Sequence, residues 1–449
     1  MERNASVIVV GAGAAGLAAS SKLGQAGLSV IMLEARDRIG GRIFTRHDDK
    51  LDAPIELGAE FIHGKPPEIW KPLTDAGVKI REARGQPWCS DGQNLIPCDS
   101  FSEVDSILER MDDSLPDESF LSFLERTFPN RGHDRALNEA TERALGYVSG
   151  FNAADPALVG VHWLVQSMRA EERSEGYRAF RSRNGYADLM EIFRRQIAAN
   201  NIAVHTETIV ETVNWRAGDV TVFAHTMGER QEFSAKRALV TLPLGVWKAQ
   251  IGQTGSVQFN PGLPPEKKGA LDKLEMGKVI RIVLRFRERF WDSFSPASDL
   301  KQGLSDMSFL FSQDEWFPTW WTTMPAKLPI ITGWAPFRAG EKLSGQEPSF
   351  VVQRSLQTLG RLLGIDPQIL ETRLEAADFH DWQSDAFSRG AYSYGKVGCD
   401  GAQEALATPV ENTLFFAGEA TDTTGNNGTV HGAIASGERA AKEILRVSA

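Results

Sequence analysis

An apolar run, Val7-Ile8-Val9-Val10, leads straight into Gly11-x-Gly13-x-x-Gly16, and no other feature limits the fold of this chain so tightly. A helical stretch follows, then a second apolar run from Ser29 to Leu33 that ends on Glu34. Strand, glycine turn, helix, strand and terminal acid in one register read as a βαβ dinucleotide-binding unit. Gly11 permits the tight turn, Gly13 lets backbone approach a pyrophosphate, and Gly16 lets helix and strand pack closely. The helix N-terminus, with unpaired N–H groups, faces the phosphates. Glu34 is placed to accept hydrogen bonds from a ribose diol, which selects an adenosine without a 2′-phosphate.

That unit alone leaves NAD and FAD open. Gly40-Gly41-Arg42, following Arg36-x-Arg38, offers a second backbone approach, with Arg42 as a cation for the diphosphate and Arg36 among the cofactor contacts. The continuation resembles the glutathione-reductase-like flavoproteins, in which the dinucleotide is FAD. A solvated basic turn is the plain alternative, since Arg36, Arg38, Arg42 and Arg46 cluster loosely.

The chain has 449 residues, long enough for two or three domains with substantial cores. A net charge of −10 and the lack of a long basic run argue against nucleic acid as a partner. Cys89, Cys98 and Cys399 show no CxxC spacing, so no disulfide framework or metal site is implied and free thiols are expected. The fingerprint strand starts at residue 7, which leaves no space for a signal peptide, and the glycines and Lys22 within residues 7–33 oppose a membrane span. A cytoplasmic protein that binds no membrane is expected; the oligomeric state is left open.

The expected fold class is α/β: a Rossmann-like FAD-binding domain interrupted by a mixed α+β substrate-binding domain. The cofactor domain is assigned to residues 1–64, 185–250 and 390–449, and the substrate domain to 65–184 and 251–389. Residues 65–184 look mostly helical, whereas 251–389 carry strands, tryptophans and a helix over Phe350 to Leu363.

The end of the chain supplies the family signal. Leu414-Phe-Phe-Ala-Gly-Glu419-Ala-Thr421 is an apolar strand ending on Gly418-Glu419, followed by Gly428-Thr-Val-His-Gly-Ala433 and a helix. With Glu56-Leu-Gly-Ala-Glu-Phe-Ile-His-Gly64, Val240-Thr-Leu-Pro-Leu-Gly245, Phe290-Trp291 and Trp382 through Tyr394, the chain resembles the flavin-containing amine oxidases. These include monoamine and polyamine oxidases, L-amino-acid oxidases and flavin-type histone demethylases. The resemblance spans nearly the whole chain and is weakest over 65–180.

Residue by residue, the resemblance implies the following. Gly11, Gly13, Ala15 and Gly16 hold the pyrophosphate, Glu34 the ribose, and Arg36, Gly41 and Arg42 the diphosphate region. Gly58, Ala59 and Glu60 lie along the flavin, with Trp382 a further cofactor contact. Val210 meets the adenine, Gly418 and Glu419 bind toward the ribityl chain or pyrophosphate, and Thr429 and Val430 present N–H groups to the flavin ring. The chemistry implied is hydride transfer from the carbon next to an amine nitrogen to flavin N5. O2 then reoxidises the flavin, giving peroxide, and the imine hydrolyses. Tyr392 matches one wall of an aromatic cage, and Thr429 stands at the other. Ala391 replaces the cysteine that bonds flavin in monoamine oxidases, so non-covalent FAD is expected.

The family pattern breaks at Arg281, in Lys278-Val-Ile-Arg-Ile-Val-Leu-Arg-Phe286, where most members carry lysine near N5. Arginine keeps its proton and cannot act as a base. Arg281 therefore modifies the proton and oxygen step, binds an anionic substrate, or lies solvated opposite the Ile280, Ile282, Leu284 face. The second option favours a desaturase or other oxidoreductase acting on a non-amine or carboxylate-bearing substrate. A flavin-bound scaffold without turnover is a rival of a different class. His63 either contacts substrate or caps a turn. Trp316, Trp320, Trp321 and Trp334 line a cavity or fill the core.

Overall fold

The computed structural model describes residues 4–90, 92, 94–98, 100–294 and 303–448. It is an α/β molecule with two principal sheets. In the first, parallel strands run in the order Ala203–His205, Val30–Leu33, Asn4–Val10 and Glu229–Val240, with Leu414–Phe416 also pairing with Glu229–Val240. Residues 7–10, 30–33, 238–240 and 414–416 are buried on both sides, which is why these stretches read as unbroken apolar runs instead of alternating. Asp219–Thr226 and Thr208–Arg216 continue the sheet antiparallel.

The helices Ala14–Gln25 and Val430–Arg446 meet on this sheet, backbone against backbone. A Cβ on Gly437 would lie 2.2 Å from the carbonyl oxygen of Ala15, so only glycine fits there. The two ends of the chain are thereby locked around one nucleotide fingerprint.

The second sheet has seven strands, in the order Leu374–Phe379, Val279–Phe286, Ile330–Pro336, Thr319–Thr322, Met307–Phe311, Gln86–Ser90 and Leu95–Pro97. Trp88, Trp291, Phe317 and Trp320 form its core. Every residue of Val279–Phe286 is buried, Arg281 and Arg285 included. The solvated placement open to Arg281 in the sequence is therefore corrected: strands pair on both edges of Val279–Phe286, and its second face is covered as well.

The segment 65–184 carries the helices Phe120–Thr127, Arg135–Gly150 and Val161–Ser174, but it also sends Gln86–Ser90 and Leu95–Pro97 to the edge of the second sheet. That hairpin overturns the free-thiol expectation for two cysteines. It sets Cys89 opposite Ile96 and brings the Cα atoms of Cys89 and Cys98 to 5.7 Å, where they form a disulfide. Spacing rules for short motifs miss a pair made across a hairpin. Cys399 is free and buried. Among the described residues no helix is long and apolar enough to cross a membrane.

Candidate functional site

One cavity of about 2360 Å³ runs from the glycine turn to the second sheet. That exceeds what a single small ligand needs and suits a dinucleotide together with a substrate. The candidate catalytic and cofactor-binding residues of the sequence all lie on its wall except Gly16. Gly16 sits behind it, where a Cβ would meet the carbonyl oxygen of Gly11 at 2.1 Å.

At the fingerprint end, Gly13 and Gly41 face each other, and a Cβ on Gly41 would come within 3.2 Å of the Gly13 Cα. The helix Ala14–Gln25 has no side-chain cap and no acid in its first turn, so its leading N–H groups are left to a ligand. Glu34 is fixed at the strand end by the backbone N–H of Ala12 (2.8 Å) and of Arg36 (3.0 Å). Arg36 itself pairs with Asp385 at 2.9 Å. Val210 is buried on the neighbouring strand. These groups fit the phosphates, ribose and adenine of FAD.

Farther along, Arg42 donates to the carbonyl of Ala391 (2.7 Å) and to Glu419 (2.9 Å). The other oxygen of Glu419 accepts from the Ser393 hydroxyl (2.6 Å) and the Gly428 N–H (2.9 Å). Gly418 takes φ +132°, a conformation suited to glycine, as the chain turns into Glu419. Thr429 caps the last helix by accepting the Gly432 N–H at 3.0 Å, which leaves the amides of Val430 and His431 at the cavity wall. Trp382 donates to the carbonyl of Leu57 and lies against Gly58.

Glu60 differs from expectation in what its side chain does. Arg181 Nε donates to one oxygen at 2.6 Å; Arg281 Nη2 and Trp321 Nε1 donate to the other, at 2.5 and 3.0 Å. Burial pushes the Glu60 carboxyl up, but Arg181 and Arg281 outweigh it and hold it below the usual carboxylate range. Arg281 Nη1 donates to the Gly58 carbonyl at 2.7 Å, and its Nε is buried without a partner. Lys278 lies outside this cluster, exposed and paired with Glu341.

An aromatic enclosure completes the site. The Tyr392 hydroxyl donates to the carbonyl of Phe151 at 2.6 Å, and His63 meets the Phe151 ring edge-on with centroids 5.4 Å apart. Phe61 packs on Trp321, and Trp321 on Trp334. The four tryptophans divide: Trp321 and Trp334 face the cavity, Trp320 fills the core, and Trp316 packs on Phe350. Burial pushes the His63 pKa down to about 4, against a smaller opposing pull from the backbone of Gly176. His431 is also pushed down to about 4, by burial and then by His63. His431, Arg181, Tyr147, Phe151 and Glu171 were not singled out in the sequence. Only His431 had a signal, its place in Gly428-Thr-Val-His-Gly-Ala433.

A model of the flavin containing amine oxidoreductases matches residues 14–95 and 101–445. Among curated proteins, the chain is 26% identical to lysine-specific histone demethylase 1 homolog 3 of Arabidopsis thaliana, over 98% of this chain and 30% of that one. It is 27% identical to lysine-specific histone demethylase 2 of Homo sapiens, over 98% and 53%. Polyamine oxidase 2 of Arabidopsis thaliana is 28% identical, over 98% and 88%. The chain spans 30%, 59% and 52% of three demethylase homologues from Arabidopsis thaliana. A putrescine oxidase solved with putrescine shares the fold, with a TM-score of 0.79 and 20% identity over 99% of each chain.

Proposed function

The chain belongs to the flavin containing amine oxidoreductase family, and from that premise we propose that it oxidises a small-molecule amine with FAD. The observation that carries this reading is the continuity of one cavity from the Glu34 cradle to the enclosure of Tyr392, His63 and Trp321. The polyamine oxidases and the putrescine oxidase among its relatives are consistent with an amine substrate. When bound, FAD supplies the hydride-accepting centre for the carbon next to the amine nitrogen and passes the electrons on, to O2 in our assignment, with the imine product hydrolysing in water.

The protein's own residues do the rest. Gly11, Gly13, Ala15, Arg42 and Gly41 hold the diphosphate region, Glu34 the ribose and Val210 the adenine. Gly58, Ala59, Val430 and Thr429 face the ring. Binding is non-covalent: Ala391 offers no thiol, Cys89 is in a disulfide, and Cys399 is not on the cavity wall. Tyr392, Phe151 and Trp321 exclude water and orient the amine. Burial keeps the His63 ring neutral, so one of its nitrogens carries a lone pair that accepts an N–H of the substrate. Arg281 is a positioning residue: it ties the Gly58 carbonyl to Glu60 and accepts no proton.

Cofactor binding is assigned to 1–64, 185–250 and 390–449, and substrate binding to 65–184 and 251–389. The anionic-substrate reading stands second, because the Arg281 edge that would grip a carboxylate is already on Gly58 and Glu60. A cytoplasmic location, also our assignment, requires Cys89 and Cys98 to be reduced there. Anaerobic mixing with a panel of mono-, di- and amino-acid amines tests the function. Bleaching of the flavin by at least one amine is expected; bleaching by none sinks the proposal.

A further inference from the structure

Past Tyr392 and His63, the cavity enters a recess between the helices Arg135–Gly150 and Val161–Ser174, with Glu171, Asn152, Tyr147 and Ser167 on its wall. The same four residues, together with Leu108, Met111, Val148, Leu164 and Met168, line a void of about 10 Å³ beside it. Their chemistry is one-sided. The two influences on the Glu171 carboxyl, burial and then Asp105, both push it up, to about 7, and among the described residues no cation is set against it. The side-chain oxygen of Asn152 is buried and accepts no hydrogen bond. An orphaned buried acceptor costs about 1–3 kcal/mol, so such a group calls for a donor.

Tyr147 joins this recess to the enclosure. Its ring stacks on Phe151 at 5.2 Å, and Phe151 accepts the Tyr392 hydroxyl through its carbonyl. Burial and then Glu171 keep its hydroxyl protonated. The recess thus presents a carboxyl and an amide oxygen without donors of their own, beside an aromatic wall. A cationic N–H donor completes it, satisfying both oxygens and offsetting the burial of Glu171.

We propose that Glu171 and Asn152 bind a second ammonium group of the substrate, making the preferred substrate a diamine or longer polyamine whose near amine lies at His63 and Tyr392. The inference rests on the amine-oxidation reading for the near amine, but the recess makes a binding claim of its own.

The test is calorimetric titration of the full-length, FAD-loaded protein without O2, at about pH 8, where Glu171 is ionised. The titrants are unbranched α,ω-diamines of roughly three to eight carbons and alkyl monoamines of equal length. The wild type is expected to bind its best diamine at least about tenfold more tightly than the matched monoamine. Glu171→Gln, which keeps shape and removes charge, is expected to erase that preference and leave monoamine affinity within about twofold. Asn152→Asp, which adds a charge in the same recess, is expected to raise the preference and covers the case in which Glu171→Gln loses its flavin. Equal affinities in the wild type, or a preference that survives Glu171→Gln or fails to rise with Asn152→Asp, would overturn the assignment. Because binding needs no turnover, diamines that bind selectively yet never bleach the flavin would remove the oxidase reading and leave the recess. Amines that bleach it without diamine preference would remove only the recess.

Discussion

Two arginine–glutamate contacts lie on the cavity wall, and they are built differently. Arg42 and Glu419, 377 residues apart, meet one to one. The remaining acceptor sites of Glu419 are filled by neutral donors, the Ser393 hydroxyl and the Gly428 N–H. At the other end, one carboxylate, Glu60, lies between two cations, Arg281 and Arg181, with Trp321 also donating to it. The first contact is a balanced tie between the beginning and the end of the chain. The second sets two cations against one carboxylate, with Glu56 a further acid beside Arg281, and fixed charge on a cavity wall acts on whatever charge develops next to it. Arg281 keeps its proton, so the charge of this wall does not titrate away.

The largest expected effect lies at the balanced end. Gly16→Ala puts a methyl 2.1 Å from the Gly11 carbonyl, which is backbone and cannot move aside. The purified variant is expected to lack flavin absorbance, read as the visible-to-ultraviolet ratio; wild-type flavin content would break the assignment of this turn to the cofactor. Next comes the contrast itself. Glu60→Gln leaves one buried and one half-buried cation without their anion and is expected to cost about 3–5 kcal/mol. Glu419→Gln leaves one partly exposed cation and keeps an oxygen for its donors, so about 1–3 kcal/mol is expected. Denaturant midpoints compare the two, and equal losses would erase the distinction between tie and charged wall.

How much of this was legible before folding follows the range of each interaction. The glycine turn, Glu34 and the Gly418-Glu419 strand end are local backbone devices, so residue order displays them. The burial of Arg281 is not local: its strand alternates as a half-exposed one does, and only the pairing with Ile330–Pro336 and Leu374–Phe379 closes it in. The Cys89–Cys98 pair depends on a hairpin register within a segment expected to be mostly helical. Trp320 and Trp321 point to opposite faces because they are neighbours in a strand, a division readable only once the strand is assigned. Asn152 and Glu171 lie in a segment where the sequence offers no motif to mark them.

A smaller effect separates the neutral histidines from the charged wall. His63 falls from its ordinary 6.5 to about 4 on burial. Its folded pKa lies below the unfolded one, so its contribution to stability is present above about pH 6.5 and fades as pH falls toward 4. Glu56 and Glu171, raised to about 7, act in the opposite direction, contributing below their ordinary 4.5 and losing that as pH rises to 7. The useful quantity is therefore the difference between wild type and His63→Gln. That difference is expected to shrink as thermal unfolding is followed from pH 6.5 down to 4. A constant difference would show that His63 is not buried neutral.

Arg281→Lys has the smallest effect on stability and the most information about chemistry. A lysine ammonium is a compact charge on a flexible stem, and it loses the planar fork that spans the Gly58 carbonyl and Glu60 together. With Glu60 still facing a cation, the loss is expected to be about 1 kcal/mol, and flavin is retained because the fingerprint end is untouched. The rates are where the variant speaks. A buried lysine can give up its proton, and arginine in the same place cannot. If the charged wall sets the proton and oxygen steps, stopped-flow reduction by amine or reoxidation by O2 changes in Arg281→Lys and acquires a dependence on pH that the parent lacks. If both half-reactions keep their rates at every pH, the wall only holds the Gly58 loop in place. Its contrast with the Arg42–Glu419 tie would then be one of charge count alone.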